Sequence, residues 1–239
     1  MAWGLWFHFW LLVITMLAGT SAIFVSYFRR DFIQPIARWW ARTLLYFGGI
    51  TVQVQGLEHL TPGQTYVFAA NHRSQFDIFV LLAVLPGNFL WVAKKSLFRI
   101  PVFGQALTRM GSIAIDRENL SEAIRGLNQA TRTVQAGTSM IIFPEGTRAN
   151  SRELLPFKKG VFIMALKARQ PVVPVSINGT LAIQPRATLR LRPGPVQVVI
   201  SPPINPRDYS LKRKEELMNA VRQAIADHYD YDFPGEKLS

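Results

Sequence analysis

"TYVFAANHRSQFDIFVLLAVL", residues 65–85, decides how the rest of the chain is read. Its first six residues, "TYVFAA", form an alternating run that reads as a strand, while "IFVLLAVL" (78–85) reads as a buried helix. Between them lies "NHRSQFD" (71–77), so one of only four histidines stands where strand becomes helix, with a carboxylate five residues later. If the helix starts near Ser74, His72 lies on the connecting turn and Asp77 in the first helical turn, close enough for its carboxylate to meet the imidazole. A carboxylate on one ring nitrogen fixes tautomer and orientation and leaves the other nitrogen to take a proton from a hydroxyl. Ser74 and Asp77 also have the spacing of a capping box, which accounts for Asp77 as a helix-starting residue but not for His72.

Outward from this stretch the same alternation recurs. Strands are expected near 51–55 ("TVQVQ"), 65–70, 89–93 ("FLWVA"), 112–116 ("SIAID"), 140–144 ("MIIFP"), 172–177 ("VVPVSI") and 196–201 ("VQVVIS"). Helices fit between most of them. Residues 121–136 carry Ile124, Leu127, Ala130 and Val134 on one stripe, after a Ser121 cap and before Gly137, and 211–228 dock through Leu217, Val221 and Ile225. Such alternation predicts an α/β fold with a mixed, largely parallel sheet flanked by helices. No internal repeat, low-complexity segment or linker divides residues 51–239, which read as one catalytic domain.

In such folds ligands collect at the carboxyl ends of strands, where loops converge and helix N-termini offer unpaired N–H groups. Besides "NHRSQFD", three clusters sit there: Lys94 and Lys95 after the third strand, Asp116 and Arg117 closing "GSIAIDR" (111–117), and Glu145, Gly146, Thr147 and Arg148 in "FPEGTR" (143–148). A guanidinium fork suits phosphate, and a glycine lets backbone approach a ligand closely. A base beside several cations points to a hydroxyl substrate that carries phosphate.

The remaining composition narrows the setting. The 239 residues contain no cysteine, which excludes disulfides, thiolate metal sites and a cysteine nucleophile, and the formal charge of +12 favours an anionic partner. Ala2 to Phe28 contain no charged side chain, enough for a helix to cross a bilayer, with tryptophans near the start and Arg29–Arg30 at the end. The positive-inside rule then puts the following chain on the cytoplasmic face of a membrane, the inner membrane in a bacterium. A cleaved signal is the lesser reading, because no basic region precedes the apolar run. His8 reads as structural. In "DFIQPIARWWARTLLYFGGI" (31–50) Arg38 and Arg42 share a face, as in a helix lying in the membrane surface, although a spanning or core helix fits the period too. Residues 1–50 are thus a membrane anchor. Nucleic acid is not expected as a partner, since no recognition helix or zinc spacing is present. The histidines show no metal-ligand spacing.

From about residue 50 to 205 the chain resembles the 1-acylglycerol-3-phosphate acyltransferases and their glycerolipid acyltransferase relatives. "NHRSQFD" is similar to their N-H-x4-D motif, "VAKKSLFRIPVFG" (92–104) to the lysine-containing block that follows it and "GSIAIDR" to the second motif. "FPEGTR" is similar to the third motif and "VVPVSING" (172–179) to the fourth, while "LPFKKG" (155–160) resembles the segment after the third. The resemblance implies His72 as general base and Asp77 as its orienting partner. It implies Arg117, Glu145, Gly146 and Arg148 as acceptor-binding residues, with Lys94 or Lys95 beside them and Pro174 shaping a strand or acyl channel. Ala149 stands where many members have Ser. The implied reaction moves an acyl group from acyl-CoA or acyl-carrier protein, a co-substrate rather than a cofactor, to a lysophospholipid hydroxyl without a covalent enzyme intermediate. Lysophosphatidic acid is the first choice of acceptor, and lysophosphatidylglycerol or a lyso-ornithine lipid the alternative. A non-catalytic lipid-binding protein would not need His72, Asp77 and Arg148 together, and an esterase using Ser74 would lack its G-x-S-x-G elbow.

Overall fold

The structure is a computed structural model and describes residues 2–116, 118–149, 151, 153–185 and 187–233. Two helices come first, α1 (Ala2–Ser26) and α2 (Ile33–Phe47), followed by β1 (Ile50–Gln55), β2 (Val67–Ala70), α3 (Phe76–Val84) and β3 (Phe89–Lys94). Then come α4 (Phe103–Met110), β4 (Ile113–Ile115), α5 (Leu120–Gln135), β5 (Ser139–Ile142) and α6 (Lys159–Ala168). The chain continues with β6 (Val172–Asn178), α7 (Thr180–Ile183), β7 (Gly194–Ile200) and α8 (Lys214–Ala226).

All seven expected strands form one sheet, in the order β1-β7-β6-β2-β5-β3-β4. β6, β2, β5, β3 and β4 run parallel, β7 is antiparallel to β6, and β1 is parallel to β7. Five strands therefore end at one edge. β7 reverses because the short segment after β6 turns back without crossing the sheet, as an antiparallel neighbour allows.

Helices cover both faces of the centre. Phe68 and Ala70 of β2 join a cluster with α1, α2 and α3, while Val67 and Ala69 join a second cluster with α5, α6 and α8. This explains why β2 is apolar throughout, whereas β1 alternates Thr51, Gln53 and Gln55 outward with Val52 and Val54 inward. Leu217, Val221 and Ile225 are fully buried and dock α8, each side chain contributing about 1.5–3 kcal/mol.

Two local expectations change. The cap of α5 is Asn119, whose side chain accepts the Glu122 N–H, while Ser121 donates its hydroxyl to Asn119. Asn119 wins because the chain is still extended there, as an N-cap must be. α3 starts at Phe76 rather than near Ser74, for reasons that belong to the site.

α1 and α2 do not stand apart from the sheet. Phe7, Ile14, Ala18 and Ala22 lie on one buried flank of α1, while Leu5, Phe9, Leu12 and Phe24 are exposed on the other. Among the described residues, Trp3–Ser26 forms the one helix long and apolar enough to cross a membrane. Arg38 and Arg42 of α2, expected on one face of a surface helix, both reach the end of α3. Arg38 donates to the carbonyls of Leu85 and Gly87, and Arg42 to that of Ala83 at 3.2 Å. These carbonyls lie at and just beyond the C-terminus of α3, where helical oxygens lack partners and positive charge is favourable. Burial, and then the charge of Arg42, hold the Arg38 guanidinium below its usual pKa.

Candidate active site

Five parallel strands deliver their following loops to one sheet edge, and the expected site residues arrive there from four of them. His72 follows β2, Lys94 ends β3, Asp116 follows β4 and the Glu145–Arg148 turn follows β5. Arg117 lies outside the described residues. β6 adds a residue not expected from the sequence, Thr180.

Asp77 organises the centre. It is fully buried, and one carboxylate oxygen, Oδ2, accepts from His72 Nδ1 at 2.7 Å, the Arg73 N–H at 2.7 Å and the Ser74 N–H at 2.9 Å. The other, Oδ1, accepts the Thr180 hydroxyl. The two backbone N–H groups can only donate, which marks Oδ2 as an acceptor; with Oδ2 accepting from the ring as well, His72 carries its proton on Nδ1 and presents a lone pair at Nε2. Among the described residues Nε2 makes no hydrogen bond, and 13% of the side chain stays exposed. An imidazole held in this way can take a proton at Nε2 while the buried anion stabilises the resulting imidazolium.

The capping box is only half formed. Asp77 reaches back to the Ser74 N–H as a box partner does, but the Ser74 hydroxyl donates to the Gln184 carbonyl at 2.7 Å and accepts only a long bond from the Phe76 N–H. Drawing residues 73 and 74 toward one oxygen closes the turn before the helix can begin, which moves its start to Phe76.

A second buried pair supports the turn from below. Arg73 and Glu145 side chains are both fully buried and joined at 2.8 Å. Burial works against charge on Arg73, yet Glu145 and the Tyr229 hydroxyl beside it hold the guanidinium above its usual pKa. Arg73 also donates to Tyr229 at 3.2 Å and to the Glu153 carbonyl at 3.1 Å. Glu145 further accepts the N–H groups of His72 and Leu155, each at 2.8 Å. Its lone pairs are thus committed to the protein. Glu145, expected among the acceptor-binding residues, holds the backbone of His72.

The rest of "FPEGTR" surrounds the ring. The Phe143 ring lies face to face with the His72 imidazole, centroids 3.9 Å apart and planes at 11°, and Trp91 stacks behind Phe143. Gly146 adopts φ +74°, a left-handed turn that favours glycine, and its N–H donates to the Phe143 carbonyl. Thr147 is exposed, Arg148 half-buried, and the Ala149 N–H donates to the His72 carbonyl at 3.0 Å. The departure at Ala149 is therefore a backbone contact that needs no hydroxyl. Lys94 is exposed at the end of β3, while Lys95 turns to Asp116 at 3.3 Å and Glu122 at 3.9 Å. Of the two lysines, Lys95 is thus engaged with carboxylates on the β4 side.

Asn71 completes the frame by exchanging two hydrogen bonds with the backbone of Ile177, which prolongs the β2–β6 pairing by one residue. Thr180 and Phe143 were missed by sequence reasoning, although both follow or end an apolar strand whose neighbours carry polar motifs. Arg73 gave a weaker signal, since nothing local marks an arginine as buried.

A family model described as "Acyltransferase" matches residues 51–178. A 1-acyl-sn-glycerol-3-phosphate acyltransferase of Limnanthes alba is 35% identical over 179 residues, 74% of this chain and 63% of that protein. The alpha form from Homo sapiens is 32% identical over 181 residues, 75% of this chain and 64% of that one. The chain thus spans less than two thirds of the length of these relatives. The crystal structure of the 1-acyl-sn-glycerophosphate (LPA) acyltransferase PlsC from Thermotoga maritima is similar with a TM-score of 0.82 and 25% identity, covering 95% of this chain and 94% of that one. With the matched segment running from β1 through the end of β6, and so through every motif at the sheet edge, the chain belongs to the acyltransferase family.

Proposed function

We propose that the protein transfers a fatty acyl group from an acyl thioester, acyl-CoA or acyl-carrier protein, to the sn-2 hydroxyl of 1-acyl-sn-glycerol-3-phosphate. The observation that carries this reading is the buried, fully engaged Asp77 holding His72 with Nε2 outward, at the same sheet edge as Arg148. The names and likeness of the relatives support the choice of acceptor.

The hydroxyl oxygen attacks the thioester carbonyl as His72 Nε2 takes its proton, giving a tetrahedral oxyanion. Collapse breaks the C–S bond, and the proton passes from Nε2 to the leaving sulfur. The new C–O bond completes the ester. Phe143 covers one face of the imidazole while it is positively charged, a favourable contact of ring quadrupole with cation. Proton transfer supplies about a hundred- to ten-thousandfold, and positioning of the two substrates supplies much of the remainder.

The decisive experiment assays the purified full chain in vesicles with acyl-CoA and either 1-acylglycerol-3-phosphate or lysophosphatidylglycerol. Turnover of the first acceptor is expected, and turnover of the second alone would redirect the substrate assignment. Arg148 is proposed as the phosphate ligand. Arg148→Ala should raise the acceptor KM about ten- to a hundredfold, the weight of a charge-assisted hydrogen bond, with the donor KM within about twofold. A matching rise in both would count against the role.

The outward flank of α1, with the exposed rings of α2, is proposed to sit in the bilayer, where the lipid acceptor resides. Arg29 and Arg30, just after α1, support a domain on the cytoplasmic face. Leu12→Lys introduces a charge on that flank, where its transfer costs about 2.5–3.5 kcal/mol at full depth. Vesicle cosedimentation should weaken by about tenfold or more, and unchanged binding would refute the embedded flank.

A further inference from the structure

The apolar helix α1 carries one polar ring, His8, to which the reaction chemistry assigns no task. Its Nδ1 lies 2.6 Å from the Gly4 carbonyl, one helical turn back. A carbonyl only accepts, so Nδ1 carries the proton and Nε2 offers a lone pair. Gln184 Nε2 stands 3.3 Å from that nitrogen. The orientation of the amide follows independently, since Gln184 Nε2 also donates to the Thr188 carbonyl at 3.0 Å. The other end of the amide, Oε1, accepts from Gln75 Nε2. Each donor in the row meets an acceptor, and only one tautomer of His8 allows it.

Gln184 is 4% exposed and reaches the catalytic turn twice, through Gln75 and through its main-chain carbonyl, which accepts the Ser74 hydroxyl. At the start of the same segment Thr180 donates to Asp77. Residues 180–184 therefore hold the turn at three points, and α1 holds residue 184. The contact is close along its length. Phe7 is fully buried with its ring 5.3 Å from that of Phe76, and a Cβ at Gly4 would lie 2.4 Å from the Leu189 carbonyl oxygen.

We propose that His8 is a positioning residue for acyl transfer. By accepting from Gln184 it fixes the brace that sets Ser74, Gln75 and Asp77, and through them His72. The helix that meets the lipid is then also part of the frame of the catalytic centre. This inference rests on the reading of His72 and Asp77 given above. Small displacements of a general base are costly, because the reacting atoms must align within narrow limits.

The test uses the full chain in phosphatidylcholine–phosphatidylglycerol vesicles, with acyl-CoA and 1-acylglycerol-3-phosphate as probes. Wild type, His8→Ala, His8→Gln and His72→Ala are compared, since Gln supplies an oxygen acceptor near the position of Nε2. Loss of one hydrogen bond predicts a kcat about three- to tenfold lower in His8→Ala. Both KM values and vesicle binding should be unchanged, and His8→Gln should recover most of the loss. Equal kcat in wild type and His8→Ala overturns the proposal, as does a loss that Gln does not reverse; reduced vesicle binding in that case assigns His8 to anchoring alone. An active His72→Ala would overturn the catalytic reading and this proposal with it, whereas an inactive one beside an unimpaired His8→Ala overturns this proposal alone.

Discussion

His72→Ala is expected to lower kcat at least about a hundredfold and up to about ten-thousandfold, with little change in stability. The reason lies in where each contact is made. The side chain supplies Nε2, but the turn is held through the His72 backbone, whose N–H donates to Glu145 and whose carbonyl accepts from Ala149. Both survive truncation. Asp77→Asn should cost a comparable factor in kcat, because the amide keeps the shape of the group yet removes the charge that stabilises the imidazolium. It also puts an NH2 group where four donors converge, so a modest loss of stability accompanies it. Initial rates with both substrates varied, beside thermal unfolding in the same detergent, separate the two effects. More than a tenth of wild-type kcat in His72→Ala would end the general-base assignment.

Glu145→Ala is expected to have the largest effect on stability. It leaves the fully buried Arg73 guanidinium without its counter-ion and orphans the N–H groups of His72 and Leu155. Breaking one side of a buried pair costs about 3–5 kcal/mol. For a chain of this size that corresponds to a Tm about 6–20 °C lower. Glu145→Gln retains an acceptor oxygen and should fall between wild type and Ala. The ranking distinguishes this role from substrate contact, which would raise the acceptor KM and leave Tm unchanged. A Tm for Glu145→Ala within about 2 °C of wild type would refute the structural role.

The sheet, its strands and the His72–Asp77 pair were legible because each rests on local period or spacing. "TYVFAA" followed by a helical run can hardly be anything but a strand entering a helix, and five residues let a carboxylate return to an imidazole. Contacts made across the sheet were not legible. Glu145 reads as a site residue because it ends a strand, yet its charge is used by Arg73, 72 positions earlier in sequence. Nothing between the two marks the pairing. Arg38 and Arg42 show the same limit. Their spacing of four defines a face, but a membrane surface and the bare carbonyls of α3 are equally good partners for that face. Thr180 escaped notice because a threonine after Asn-Gly is an ordinary turn residue until β6 is placed beside β2.

The proposed seating of the outward flank of α1 in a bilayer has a kinetic consequence. An enzyme held in the plane of a bilayer meets a bilayer-borne acceptor by two-dimensional diffusion, so the concentration that governs its rate is the acceptor's mole fraction among lipids rather than its molarity in the sample. Diluting vesicles at constant composition should leave the rate per enzyme nearly unchanged, while adding inert lipid at constant acceptor should slow it.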